Sequence, residues 1–124
     1  MGKDLEVEIK KMLEDYTKDI SEAIEKEIEA TGERIVEDIK SSTAWQDNTG
    51  EYRKGWKIKK EKGKGEIKVT VYNSTRPQLA HLLEFGHAKV GGGRTSPRPH
   101  IRPAEKKNIE EMEKNIENII KRGG

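Results

Sequence analysis

Leu79-Ala80-His81-Leu82-Leu83-Glu84-Phe85-Gly86 and Pro97-Arg98-Pro99-His100-Ile101-Arg102-Pro103-Ala104 carry most of the information in this chain. They are joined by His87-Ala88-Lys89-Val90-Gly91-Gly92-Gly93-Arg94-Thr95-Ser96. The first run is short and apolar. It predicts a helix over residues 78–85 that stops at Gly86, because glycine readily takes the left-handed conformation that follows a helix C-terminus. Three consecutive glycines make residues 87–98 an exposed, flexible loop. Pro103 suits the first turn of a new helix, where the amide that proline lacks would have no partner. Ile109, Met112, Ile116 and Ile119 then step along one narrow apolar seam, and Lys121 and Arg122 suit the negative end of the helix dipole. A C-terminal helix over 103–122 follows.

Working outward to the N-terminus, Leu5, Ile9, Met12, Tyr16, Ile20, Ile24 and Ile28 recur at helical spacing, and Ile35 and Ile39 continue the stripe. This predicts one amphipathic helix from about Asp4 to Lys40, with Gly32 as a point where it bends or breaks. Unbroken, it would span ~54 Å, against a diameter of roughly 35 Å for a compact domain of this size. Such a helix would reach a neighbouring subunit.

Ser41–Gly50 is polar and turn-rich. Alternation then places Tyr52, Trp56 and Ile58 on one face and Arg53, Lys57 and Lys59 on the other, and Ile67, Val69 and Val71 alternate with Lys68, Thr70 and Tyr72. Residues 60–65 become the basic, mobile tip of an antiparallel hairpin. The fold class is α+β: a long N-terminal helix, an antiparallel β-hairpin or small sheet, a short helix and a C-terminal helix. We read 1–124 as a single domain, with the long helix at 1–40, a β-rich basic core at 51–104 and its flexible loop at 87–98. In the core, Trp56, Ile58, Ile67, Val69 and Val71 are expected to pack under Leu79, Leu82, Leu83 and Phe85.

Composition narrows the function. Apolar residues make up 31% of the 124 and charged residues 39%, a low apolar share for a compact monomer, so a partner chain is expected to complete the core. Without cysteine there is no disulfide framework and no thiolate metal site. No apolar run approaches the ~20 residues of a membrane span, and Met1–Lys10 has no signal-peptide core. The net charge of +2 hides an asymmetry: residues 1–50 hold 7 Lys and Arg against 14 Asp and Glu, residues 51–104 hold 13 against 4, and residues 105–124 balance at 5 and 5. An acidic and a basic segment in one small domain point to self-complementary assembly or to a polyanion.

Catalytic constellations are lacking. His81, Glu84 and His87 are spaced three apart, but the helix stop at Gly86 keeps them from converging on a metal. Gly91–Ser96 fails the phosphate-loop pattern, which needs a strand before it and a helix directly after. No serine, histidine and carboxylate are marked by context. The basic positions are Lys57, Lys59, Lys60, Lys62, Lys64, Arg94, Arg98 and Arg102, taken here as candidates for assembly or DNA contacts. Lysines along a strand also discourage unwanted edge pairing.

Two stretches resemble one family, the small neck proteins of long-tailed bacteriophages, known as head–tail joining, tail-component or tail-completion proteins. Thr49-Gly50-Glu51-Tyr52-Arg53-Lys54-Gly55-Trp56 is similar to the family's T-G-x-[LY]-x-x-[SG]-[IW]. Leu79–Gly86 and Pro97–Ala104 are similar to its A-x-[YL]-[LV]-E-[FY]-G and P-x-R-P-F-[LI]-R-P-A. The chain departs at His100, where the family usually has an aromatic, and at Gly91–Gly93, which lengthen the loop. The resemblance implies a non-enzymatic virion protein, without cofactor, assembled in the host cytoplasm. Such proteins form rings around the DNA channel where the tail tube meets the head connector. Its partners would be copies of itself, connector and tail proteins, and DNA passing through the channel. The competing reading is a small nucleic-acid-binding protein using the basic hairpin 53–68, with Trp56 and Tyr72 available for stacking.

Overall fold

The computed structural model describes residues 5–43, Trp45 and 50–124. The beginning of the expected long helix at Asp4, most of the turn-rich stretch before Gly50, and Thr49 of the first family-like motif lie outside them. The elements are β1 (Val7–Met12), α1 (Lys18–Lys40), α2 (Glu51–Lys54), β2 (Trp56–Gly63), β3 (Glu66–Asn73), α3 (Pro77–Phe85) and α4 (Ile101–Arg122). The α+β class and the order of helices and hairpin are as expected. The first element is not.

Residues 7–12 form a strand rather than the opening of a helix. Val7 and Ile9 are buried while Glu8 and Lys10 are exposed, the period of two that a half-buried strand requires. The helix starts only at Lys18, where the Thr17 hydroxyl accepts from the Ile20 amide at 3.3 Å and Asp19 sits in the first turn. Both devices satisfy or complement the exposed amides of a helix start. At 23 residues α1 is about 35 Å long, so it matches the domain and does not overshoot it.

β3 is the central strand of a three-stranded antiparallel sheet in the order β1-β3-β2. β2 and β3 pair in register as far as Gly63 and Glu66, so the expected mobile tip is a tight turn at Lys64-Gly65. The strand begins at Trp56; Tyr52 belongs instead to the single helical turn α2. One sheet face presents Val7, Ile9, Trp56, Ile67, Val69 and Val71, all buried. α1 covers that face through Ile24, Ile28, Ile35 and Ile39. Gly32 does not break the helix, which runs on from Lys18 to Lys40. It marks a close approach to the sheet, since a Cβ there would lie 2.8 Å from Val69 Cγ1 and 3.5 Å from Ile58 Cγ2. α4 packs along α1 with Ala104, Met112, Ile116 and Ile119 buried, and Asn108 ties the two helices by donating to Asp38 Oδ2 at 2.8 Å.

The helix expected to cover the sheet, α3, sits at its end instead. It buries Ala80 and Glu84, leaves Leu79, Leu82 and Leu83 half-buried, and turns Phe85 outward, 46% exposed. The physical reason is the partner of Glu84.

Candidate functional site

The conspicuous motif residues assemble into a buried clasp. α4 starts at Ile101, two residues before the expected position, and Pro103 falls within its first turn. A helix start leaves amides without intrahelical partners. Here the Glu84 carboxylate takes them. Oε1 accepts from the amides of His100 and Ile101, each at 2.9 Å, and Oε2 accepts from Arg102 at 2.9 Å. Pro103 has no amide to satisfy. A carboxylate at the positive end of the α4 dipole is thus matched donor for donor, which is how a charge 2% exposed is tolerated inside a small domain.

His100 completes the clasp. Its Nδ1 lies 2.8 Å from the Arg98 carbonyl and 3.2 Å from Glu84 Oε1, so Nδ1 carries the proton. Nε2, 2.8 Å from the Tyr52 hydroxyl, is then the acceptor of that O–H. The ring packs against Trp45 at 5.4 Å and Tyr52 at 5.8 Å between centroids, and Tyr52 meets Trp45 and Trp56 edge-on. The histidine therefore occupies an aromatic's place in an aromatic cluster. Burial, the first cause, holds its pKa below the usual 6.5. The Arg98 carbonyl and the Glu84 charge act against that shift, and nearby Arg53 adds to it. Arg53 itself lies over the Trp45 ring at 4.1 Å and donates to the Lys40 and Ser42 carbonyls at the end of α1.

Gly86 makes the clasp sterically possible. Its φ of 75° and ψ of 173° belong to glycine, and a Cβ would stand 2.5 Å from the Thr95 carbonyl oxygen. Arg98 donates its amide to Leu83 O at 2.7 Å, closing the loop at its base. The loop has a fold of its own. Ala88 bridges Arg94, Lys89 donates to Gly93 O, and Thr95 donates to His87 O, forming a small hairpin whose tip carries a fully exposed Val90.

The basic candidates divide into two groups. Lys60 pairs with Glu29 at 2.7 Å and Lys62 with Glu25 at 3.3 Å, both on α1. The pKa of Lys60 is raised, chiefly by its hydrogen bond to Glu29. Arg102 pairs with Glu105. The acidic first half and basic second half of the chain thus partly neutralise each other within one molecule. Among the described residues, Lys57, Lys59, Lys64, Arg94 and Arg98 make no ion pair. Lys57 and Lys59 stand on the open sheet face with Glu61, Lys68, Glu8 and Lys10. There Lys68 lies 3.4 Å from Glu8 and 3.6 Å from Glu61, and its pKa is raised, chiefly by the hydrogen bond to Glu8. Trp56 is 1% exposed, so it offers no face to a base.

Among the described residues no group of histidines and carboxylates is placed to hold a metal ion. No helix there is long and apolar enough to cross a membrane. The comparison with known families decides the lineage. Residues 7–86, β1 through the end of α3, match the family model described as "Bacteriophage HK97-gp10, putative tail-component". The chain belongs to the HK97-gp10-like family. No curated protein and no solved structure matches it. Membership gives this phage protein a structural tail-component role in the virion. The matched span includes Glu84 and Gly86 and ends before His100 and the first turn of α4 that Glu84 caps.

Sequence reasoning missed Glu84 and His100 as partners. The signal for Glu84 was present: one carboxylate in a mostly apolar helix, upstream of a proline that opens another.

Proposed function

We propose that this HK97-gp10-like chain joins the phage or prophage tail to the head connector, or completes the tail end, and does so by self-association into a ring rather than by catalysis. Family membership carries the reading. Two features of the fold support it. The prominent polar cluster, Glu84 with His100 and Tyr52, is saturated by internal hydrogen bonds and has no free donor capacity for substrate chemistry. Two strand edges, with unpaired lysines along one of them, face outward. The length of α1, expected from sequence to reach a neighbour, does not contribute, and Lys60 and Lys62 are engaged at home.

The test is association state against concentration, by mass photometry and sedimentation, followed by addition of the protein to tails and filled heads that lack it. Discrete rings and restored joining are expected. A monomer at every concentration that also fails to restore joining would refute the proposal. The free Lys57, Lys59 and Lys64 also suit phosphate contacts. If DNA binding is the primary role, monomers will bind free duplex tightly with a steep salt dependence.

A further inference from the structure

We infer that successive copies of this chain join edge to edge, β1 of one copy lying parallel to β2 of the next, in the register the sheet already uses. This rests on the self-association reading above and gives it an interface. Both β1 and β2 pair antiparallel with β3, so they run in the same direction at opposite edges of the sheet. A rotation that repeats the molecule along its own sheet therefore brings β2 beside a parallel β1. Contacts of this head-to-tail kind close into rings when the rotation allows.

The charges on the open sheet face fit that repeat row by row. One row runs Glu8, Thr70, Lys59, and another runs Lys10, Lys68, Glu61. Continuing the register by one step pairs Glu6, just before β1, with the row of Tyr72 and Lys57. Each row begins at one edge with one sign and ends at the other edge with the opposite sign. With no offset between copies, Lys57 meets the next copy's Glu6, Lys59 meets its Glu8, and Glu61 meets its Lys10. Opposite charges directly across a strand pair favour pairing and like charges oppose it. The same pattern disfavours the obvious wrong partner: in antiparallel pairing of β2 with another β2, no register gives Lys57, Lys59 and Glu61 an opposite charge each, and one sets Lys57 against Lys59. On the helix side, half-buried Ile58 and Val36 border a shallow recess with Glu33, Glu37 and Lys57 at the β2 edge. The next copy's Val7 continues the Ile58 row. Further along, Lys62 would neighbour Lys11, but Lys62 turns to Glu25 on the helix side. Glu8 and Glu61 already lie near Lys68, and Lys10 lies 3.4 Å from Glu66, but all three remain exposed and can be shared with a neighbour. The unpaired Lys57 and Lys59 therefore lead the contact.

Two charge-reversed variants test this. Lys57→Glu/Lys59→Glu alters only the β2 edge, and Glu6→Lys/Glu8→Lys only the β1 edge. Each alone should need about tenfold or more protein to associate. An equimolar mixture should recover wild-type association, because each variant then meets a complementary edge. Wild-type association by each variant alone, or no recovery in a mixture of folded variants, would overturn the inference. So would loss in the Glu6/Glu8 variant only, which indicates a symmetric β1 pairing. Should a variant not fold, the chain's lack of cysteine permits a second measurement. Glu8→Cys and Lys59→Cys, mixed and treated with a short bismaleimide, should give a cross-linked dimer containing one of each. No such dimer in protein that still forms rings overturns the edge pairing alone. A wild-type chain that stays monomeric removes the self-association reading itself, and this inference with it.

Discussion

Glu84 and Lys59 are both charged, and the molecule treats them in opposite ways. Glu84 is buried with both oxygens occupied by amides from the start of α4. Lys59 stands in solvent on an edge strand, opposite Thr70, with no ion pair among the described residues. The first is the more conspicuous in the sequence, being a lone carboxylate in an apolar run. Its chemistry is spent on the fold. In the proposed assembly, the contacts with a neighbour fall to charges that the fold leaves unpaired, such as Lys57 and Lys59.

If that contrast holds, substitutions in the clasp will cost stability, and substitutions on the open sheet face will cost association alone. The largest loss is expected for Glu84→Ala, about 3–5 kcal/mol in urea denaturation, because it strands buried amides and the His100 ring together. Glu84→Gln keeps an acceptor for some of them and should lose about 1–3 kcal/mol. A Glu84→Ala protein as stable as wild type would break the contrast at once. Next comes Gly86→Ala, about 2–4 kcal/mol, since it combines a forbidden conformation with a collision against the Thr95 carbonyl. Gly32→Ala should cost less, about 1–2 kcal/mol net, because the clash with Val69 is partly offset by better helix propensity. It sharpens the claim that Gly32 marks contact with the sheet; a gain in stability would mean an open space there.

A pH series probes the clasp more gently. The pKa of His100 is lowered in the folded state, so the unfolded chain takes up the proton first as pH falls. The stability contribution is complete above pH ~6.5 and is lost as the pH drops from there through the folded-state value. His100→Phe should flatten that part of the curve. An unchanged slope would assign the pH dependence to other groups. The smallest effect is expected for Phe85→Ala. Its ring is 46% exposed, so the change in a thermal or urea melt should correspond to about 1 kcal/mol or less.

The sequence made some of this legible and hid the rest for identifiable reasons. The β2–β3 hairpin declared itself because Ile67, Val69 and Val71 alternate without a competing period. α4 declared itself because Met112, Ile116 and Ile119 step at helical spacing. β1 was hidden because Leu5, Ile9 and Met12 also fit the helical stripe that begins properly at Ile20. The discriminating residues were Val7, which the helical stripe does not use, and Thr17, the cap that starts α1 only after β1 has ended at Met12. The outward turn of Phe85 was hidden because hydrophobicity favours burying the phenylalanine, whereas the waiting amides of α4 favour burying Glu84. Tyr52 and His100 lie far apart in sequence, so no local pattern could join them. Of the eight basic candidates, charge alone could not tell Lys60 and Lys62, drawn to α1, from Lys57 and Lys59, which their place in the register sends to the other face.

Glu84 holding the first amides of α4, with Leu83 holding the amide of Arg98, has a further consequence for the segment between them. The chain leaves the body of the protein at Gly86 and returns to nearly the same place, so the path length in between is uncoupled from the packing. Lengthening a loop whose ends are already pinned costs little, about 0.6 kcal/mol for each doubling. Around Gly91 to Gly93, where an added Cβ would meet nothing, related chains are free to gain or lose residues, and an epitope or fluorophore tag can be inserted there without disturbing either helix.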